Sequence, residues 1–212
     1  MNTSENEAVV LLHGLGLCAI YMKKIEFVLQ KEGYDVINID YLSRKNDIDQ
    51  LTELIRSRLS RIDLVVYDSV HFVGHSLGSI LIRNLLSMTA VSNQGVVIAL
   101  APPNRGSLLV DRLKTINLFH WFFGPAALQL STDTSFLQEL KHIPTDYYVI
   151  AGSKSKGTLF GHWFDELNDG TVSIESTKAR GMVSGNHTVY PATHIGMLYN
   201  EKVVQKIIDI LK

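Results

Sequence analysis

One cysteine, no long apolar run and almost no net charge set the first limits on this chain. Cys18 stands alone among 212 residues, so no internal disulfide can form and a disulfide-stapled secreted scaffold is excluded. No apolar run approaches the roughly 18 residues that a membrane span needs. Lys and Arg total 20 against 21 Asp and Glu, a net charge of -1. That balance gives no basic face for nucleic acid, and no nucleic-acid partner is expected. The opening stretch MNTSENEAVVLLHG is polar and acidic. It has no basic start, apolar segment and small-residue cleavage site in series, so a cytoplasmic globular protein is expected. The length suits one sizeable core rather than two. No internal repeat, low-complexity tract or linker divides it.

What is present is an alternation of apolar runs and amphipathic stretches. Strands are predicted at Ala8–Gly14, Tyr34–Tyr41, Val70–Gly74, Gly95–Pro102 and Asp146–Ser153, with a sixth within Asn186–His194. Helices are predicted over about 19–31, where Ile20 and Phe27 fall on the apolar side and Lys23, Lys24 and Lys31 on the polar side, and over Asp47–Ser60, Leu77–Met88 and Val203–Leu211. In the second, Ile48, Leu51, Ile55 and Leu59 share a face; in the third, Leu77, Ile80, Leu81, Leu85 and Met88 do. Strands alternating with helices predict a mostly parallel sheet covered on both sides.

The third strand runs into the third helix through Gly74-His75-Ser76-Leu77-Gly78, a G-x-S-x-G. At roughly 7% glycine the pattern arises by chance in about 7 of 100 chains of this length. Its place between a strand and a helix is more telling. There it can form a nucleophile elbow, a sharp turn that exposes the serine hydroxyl. The plainer alternative is a tight turn with Ser76 capping the helix.

A serine nucleophile needs a base, and the base needs a carboxylate to orient it. In the chain order Ser, then Asp or Glu, then His, Asp169 in NDGTV and His194 in YPATHIG follow, each in a loop where a strand ends. Asn168-Asp169-Gly170 also reads as an ordinary turn. Asp165 and Asp146 are the fallback acids, and His187 and His162 the fallback bases. His75, beside the serine, is expected to pack or make a hydrogen bond rather than to act as base. After the first strand, LLHGLGLC keeps the backbone open at Gly14 and Gly16. The Leu15 and Leu77 N–H groups are the expected oxyanion donors, and His13 is expected to anchor this loop.

Together HGLG, GHSLG, DGTV and THIGMLY resemble the α/β-hydrolases, and most of all their small lipase and esterase branch. The resemblance runs from Ala8 to Lys212. It implies a three-layer α/β-hydrolase fold with about six strands and helices on both faces. It implies ester hydrolysis through an acyl-enzyme on Ser76, with His194 as acid and base, Asp169 as its orienter, and no cofactor. The chain is short of two leading strands found in larger members. A lid-like insertion at about 104–143 falls between the fourth and fifth strands. Its NLFHWFFGPAALQL segment is the most aromatic of the chain, and Leu118, Phe119, Trp121 and Phe122 are expected to form an acyl-binding wall that also touches a lipid surface. Helices packed into the core are the competing expectation for this segment.

Other readings stay in view. GLGLCA, Gly14 to Ala19, fits a dinucleotide-binding G-x-G-x-x-[GA] with Asp40 as the ribose acid, although His13 precedes it and Ser76, Asp169 and His194 would then have no task. The same fold can serve as a non-catalytic binding protein, and the same triad can cleave thioesters or amides or transfer acyl groups. H-E-x-x-H and paired cysteines are absent, so no metal is expected.

Overall fold

Runs such as AVVLL and VIAL have no polar alternation, and each becomes a strand covered on both faces. The computed structural model describes residues 6–140, 144 and 146–212. The strands are β1 (Glu7–Leu12), β2 (Asp35–Ile39), β3 (Ser69–His75), β4 (Gln94–Leu100), β5 (Tyr147–Gly152) and β6 (His187–Tyr190). They form one sheet in the order β2-β1-β3-β4-β5-β6, with every neighbouring pair parallel. Helices α1 (Lys23–Lys31), α2 (Ile48–Leu59) and α3 (Leu77–Met88) supply the first crossovers. The β4–β5 connection carries α4 (Leu108–Leu113), α5 (Asn117–Leu128) and α6 (Ser135–Glu139). After β5 come α7 (Ile174–Thr177) and the closing α8 (Glu201–Leu211).

Alternate strand residues build two cores. Val10, Leu12, Phe72, Val97 and Val149 pack with α2, α3 and the β4–β5 insertion. Val9, Leu11, Val73, Ile98 and Ile150 pack against α1 and α8. The expected three layers are therefore present. Helix α2 starts where its sequence says it should: the Asp47 side chain accepts the Gln50 N–H at 2.8 Å, and the Gln50 side chain accepts the Asp47 N–H at 3.3 Å. Its predicted stripe of Ile48, Leu51, Ile55 and Leu59 is buried.

Helix α1 departs from expectation. Residues Ala19–Met22 wind as a 3-10 turn before the α-helix begins, and the change of period rotates Ile20 out of the apolar stripe. The buried face is Met22, Ile25 and Leu29, while Ile20 and Phe27 are exposed. The Lys31 ammonium lies 4.4 Å from the Phe27 ring centre and covers it. Met88, at the end of α3, is also exposed.

Because the chain passes from β1 outward to β2 and from β3 the other way to β4, it leaves the neighbouring strands β1 and β3 in opposite directions and opens a crevice above their C-terminal ends. This order differs from the 3-2-1-4-5-6 arrangement of dinucleotide-binding sheets. Asp40 is also committed elsewhere, since its Oδ1 accepts the Ala19 N–H at 2.8 Å. Both findings count against the dinucleotide reading of the first loop.

The insertion is held by its own polar contacts. Asp111 accepts the Thr132 N–H at 3.0 Å and the Thr132 hydroxyl at 2.6 Å, and it also accepts the Ser131 hydroxyl. Within α5 the backbone kinks at Gly124, where φ is 71°, and Pro125 follows. A Cβ on Gly124 would stand 1.8 Å from the Arg44 carbonyl oxygen, so the kink seats directly on the 42–46 turn. Residues 141–143, the end of the expected insertion, lie outside the described residues. Among the described residues no helix is long and apolar enough to cross a membrane.

Gly124→Ala should lower stability by about 1–3 kcal/mol in urea unfolding, because it adds both a strained φ and a backbone clash. An unchanged unfolding midpoint would show that α5 does not need this seat.

Candidate active site

Strand β3 ends at His75 and α3 begins at Leu77, so Ser76 alone makes the turn. Its φ of 52° and ψ of -119° put a non-glycine residue in sparsely populated backbone space. Glycines allow the crossing to be this close. A Cβ on Gly74 would meet the Ser79 nitrogen at 2.6 Å, and one on Gly78 would meet the Leu12 carbonyl oxygen at 2.3 Å. The Ser76 N–H donates to the Leu100 carbonyl at 2.8 Å. The side chain makes no capping hydrogen bond, which removes the helix-cap reading. Ser76 is 7% exposed and lines the same cavity as His194.

Asp169 is buried in the loop between β5 and α7, and both readings of it hold at once. Its Oδ1 accepts the Thr171 and Val172 N–H groups at 2.9 and 2.8 Å, an ordinary turn role. Its Oδ2 pairs with His194 Nδ1 at 2.7 Å. Gly152, at the end of β5, makes room, since a Cβ there would stand 2.7 Å from the Asp169 Cβ. His194 follows β6, and its own N–H donates to the Asp169 carbonyl at 2.9 Å. The contact at Nδ1 leaves Nε2 as the ring nitrogen available for proton transfer. No hydrogen bond joins Ser76 Oγ to His194 Nε2 in this structure. Serine–base contacts of this kind are often loose without substrate and tighten in the complex.

His75 packs and bonds as expected. Its Nε2 donates to the His194 carbonyl at 2.9 Å, and the two rings lie 4.7 Å apart. Burial, and then charge on His194 and His13, hold His75 well below the usual imidazole range, although the hydrogen bond to His194 acts the other way.

The first loop is anchored through His13. Its Nδ1 donates to the Gly14 carbonyl at 2.9 Å, its Nε2 accepts the Tyr41 N–H at 3.3 Å, and its ring stacks on Tyr41 at 4.0 Å. Burial keeps His13 below the usual imidazole range, against opposing hydrogen bonds and the Asp40 charge. Further along, the Gly16 N–H donates to Ser43 Oγ at 2.9 Å, and Arg44 Nη2 donates to the Gly16 carbonyl at 3.2 Å. Leu15 lies inside the turn closed by the Leu17 N–H on the Gly14 carbonyl at 3.2 Å. Among the described residues neither the Leu15 N–H nor the Leu77 N–H has a protein acceptor.

The cavity over Ser76 has a volume of about 260 Å³, and no Asp, Glu, Lys or Arg lines it. Of the four expected wall residues, only Phe119 takes part. Phe119 and Phe123 stand four residues apart on one face of α5, rings 4.9 Å apart, and both face the cavity. That geometry turns Leu118, Trp121 and Phe122 outward, and Trp121 is 77% exposed. Phe123, Leu109, Val110, Leu113, Leu130 and Ser107 complete the insertion's share of the wall, and Phe160 and Val172 line it from the 153–173 segment. The i, i+4 pairing of Phe119 with Phe123 was the signal for Phe123. Phe160 had none, since it comes from an irregular loop.

The fallback residues stand elsewhere. His187 Nε2 bonds to Thr177 Oγ1 at 2.8 Å, His162 lies beside Trp163, and Asp146 precedes β5 at the opposite end of the sheet. Neither they nor Asp165 line the cavity. A larger cavity of about 580 Å³, lined in part by Arg83, Asn104, Arg105 and Arg180, shares no residue with this one. Among the described residues no group of three or more His, Cys, Asp and Glu side chains could hold a metal ion.

The sequence matches the model of the alpha/beta hydrolase family over residues 9–206. The chain belongs to this family. No curated protein matches the sequence. Among solved structures, the mature form of the Bacillus licheniformis lipase BlEst2 is similar at a TM-score of 0.78 and 20% identity, covering 100% of this chain and 94% of that one. The Legionella pneumophila phospholipase PlaB is similar at 0.78 and 16%, covering 99% of this chain and 60% of that one. The metagenomic carboxyl esterase MGS0156 follows at 0.69 and 18%, covering 92% and 66%. At these identities the likeness is one of fold. In this α/β-hydrolase the strained serine, the Asp169–His194 pair and the first loop meet where the sheet order opens its crevice.

Proposed function

We propose that this α/β-hydrolase cleaves carboxylic esters through an acyl-enzyme on Ser76. The observation that carries the reading is the His194 imidazole, held by Asp169 at 2.7 Å and lining the cavity onto which the strained Ser76 opens. His194 Nε2 takes the hydroxyl proton as Ser76 Oγ attacks the ester carbonyl carbon. The Leu15 and Leu77 N–H groups, both without protein acceptors, receive the oxyanion, each contributing about 3 kcal/mol to lowering the barrier. The imidazolium then protonates the leaving alcohol as the carbon–oxygen bond breaks. Water, deprotonated by His194, attacks the acyl-enzyme and frees the acid and Ser76. Asp169 holds the Nδ1–H tautomer and stabilises the imidazolium. These steps draw on no cofactor.

The uncharged apolar walls favour an uncharged acyl group. At about 260 Å³ the cavity falls just below the usual range for drug-sized ligands, which favours short to medium chains. The insertion acts as a lid: one face of α5 walls the cavity, and the opposite face presents Leu118, Trp121 and Phe122 for transient contact with a lipid surface.

Three outcomes follow from this reading. Ser76→Ala should abolish covalent labelling by a fluorophosphonate while keeping a cooperative melt; full labelling of that variant would sink the assignment. Asp169→Asn should cut kcat by about 10⁴-fold through the wrong imidazole tautomer, and a loss below tenfold would move the orienting role to another acid. Replacing Leu118, Trp121 and Phe122 together by Ser should reduce sedimentation with neutral-lipid vesicles at least tenfold, about 1.4 kcal/mol of binding. Hydrolysis of a short soluble ester should stay within twofold. Equal vesicle binding would remove the lipid-contact role.

A further inference from the structure

We propose that His75 is a positioning residue: as a neutral imidazole with its proton on Nε2, it fixes the peptide of His194 against the oxyanion loop. The inference rests on the ester-hydrolase reading above and deepens it.

The His194 peptide is gripped on both sides. Its N–H donates to the Asp169 carbonyl at 2.9 Å, and its C=O accepts His75 Nε2–H at 2.9 Å. With Asp169 Oδ2 on Nδ1, the base is held at three points, two supplied by Asp169 and one by the residue beside the nucleophile. The rings of His75 and His194 also pack at 4.7 Å with a 48° tilt, so His75 supports the imidazole as well as its peptide.

The other side of His75 meets the first loop. Its Nδ1 is buried and has no hydrogen-bond partner among the described residues. A Cβ on Gly14 would stand 2.7 Å from that nitrogen, so the loop that carries the Leu15 N–H runs against it. One ring therefore spans the gap between base and oxyanion donor. Proton placement follows from the contacts. The proton must sit on Nε2 to reach the His194 carbonyl, and Nδ1 has no acceptor within hydrogen-bond reach among the described residues. A second proton would set a buried cation against the imidazolium that forms on His194 during turnover. The titratable groups that bear on the ring are His194 and His13, and both oppose a charge there. Misplacing a catalytic group by about 1 Å costs on the order of 10²-fold in rate.

The test compares wild type, His75→Phe and His75→Gln. Phe keeps the ring and loses the donor; Gln loses the ring and keeps an N–H that reaches the same carbonyl. Wild type is first labelled with a fluorophosphonate. Absence of label on Ser76 would defeat the ester-hydrolase reading itself, independently of His75. With labelling established, kcat and KM on a short soluble ester, a thermal melt and the low-field proton signal of His194 Nδ1–H are measured. His75→Phe should melt cooperatively, lose at least tenfold in kcat with KM within threefold, and broaden the low-field signal. His75→Gln should recover kcat to within threefold of wild type and keep the signal. A His75→Phe kcat within twofold of wild type, a loss confined to KM, or a His75→Gln as slow as His75→Phe would each overturn the proposal. Should His75→Phe fail to fold, His75→Met, which also lacks the donor, takes its place with the same expected and overturning results.

Discussion

The close crossing of α3 over β1 and β3 is the constraint on which the rest of the site depends. It forces the single residue between β3 and α3 to turn the chain with a positive φ. That strain costs about 1–3 kcal/mol. The same crossing buries Leu77, Ile80, Leu81, Ile82 and Leu85, each contributing about 1.5–3 kcal/mol. Burial outweighs strain severalfold, so the elbow persists without help from a ligand. Gly74 and Gly78 let the backbones approach this closely, because any side chain there would strike main-chain atoms.

Around the elbow the support is shared between segments that are distant in the chain. The turn at 42–46 holds the first loop through Ser43 Oγ and the Arg44 guanidinium, and the carbonyl of the same Arg44 seats the kink of α5. The wall of the cavity and the loop that carries the proposed oxyanion donor Leu15 therefore rest on one turn. His13 and Tyr41 fix the loop from beneath by stacking and by two hydrogen bonds that Tyr41 donates, from its N–H to His13 Nε2 and from its hydroxyl to the His13 carbonyl.

The histidines differ by what each second nitrogen meets. His13 Nδ1 donates to a carbonyl and its Nε2 accepts an amide, which uses both nitrogens in structure. His71 is used up in the same way, between the Val96 N–H and Glu7. His75 donates through Nε2 and meets glycine with the other nitrogen. In His194 one nitrogen meets a carboxylate, and the ring lines an apolar cavity. A carboxylate on one nitrogen and an uncharged cavity beside the ring suit a base; the other pairings suit scaffolding.

Sequence alone determined the six strands and the helices α1, α2, α3 and α8, since burial on both faces of a parallel sheet leaves uninterrupted apolar runs and helix burial leaves a 3.6-residue stripe. It also singled out Ser76, Asp169 and His194 as candidates, because a sharp strand-to-helix turn requires glycines at set positions and the two partners fall in loops that follow strands. Only the tertiary structure decided the rest. The inward face of α5 belongs to Phe119 and Phe123 rather than Leu118, Trp121 and Phe122. The kink that sets it depends on Arg44, 80 residues earlier, and local periodicity does not report so distant a contact. The 3-10 turn that rotates Ile20 to solvent is likewise invisible to a single helical period. His75 acquired its partner from 119 residues away, through a hydrogen bond to a main-chain carbonyl that any residue type at position 194 would carry.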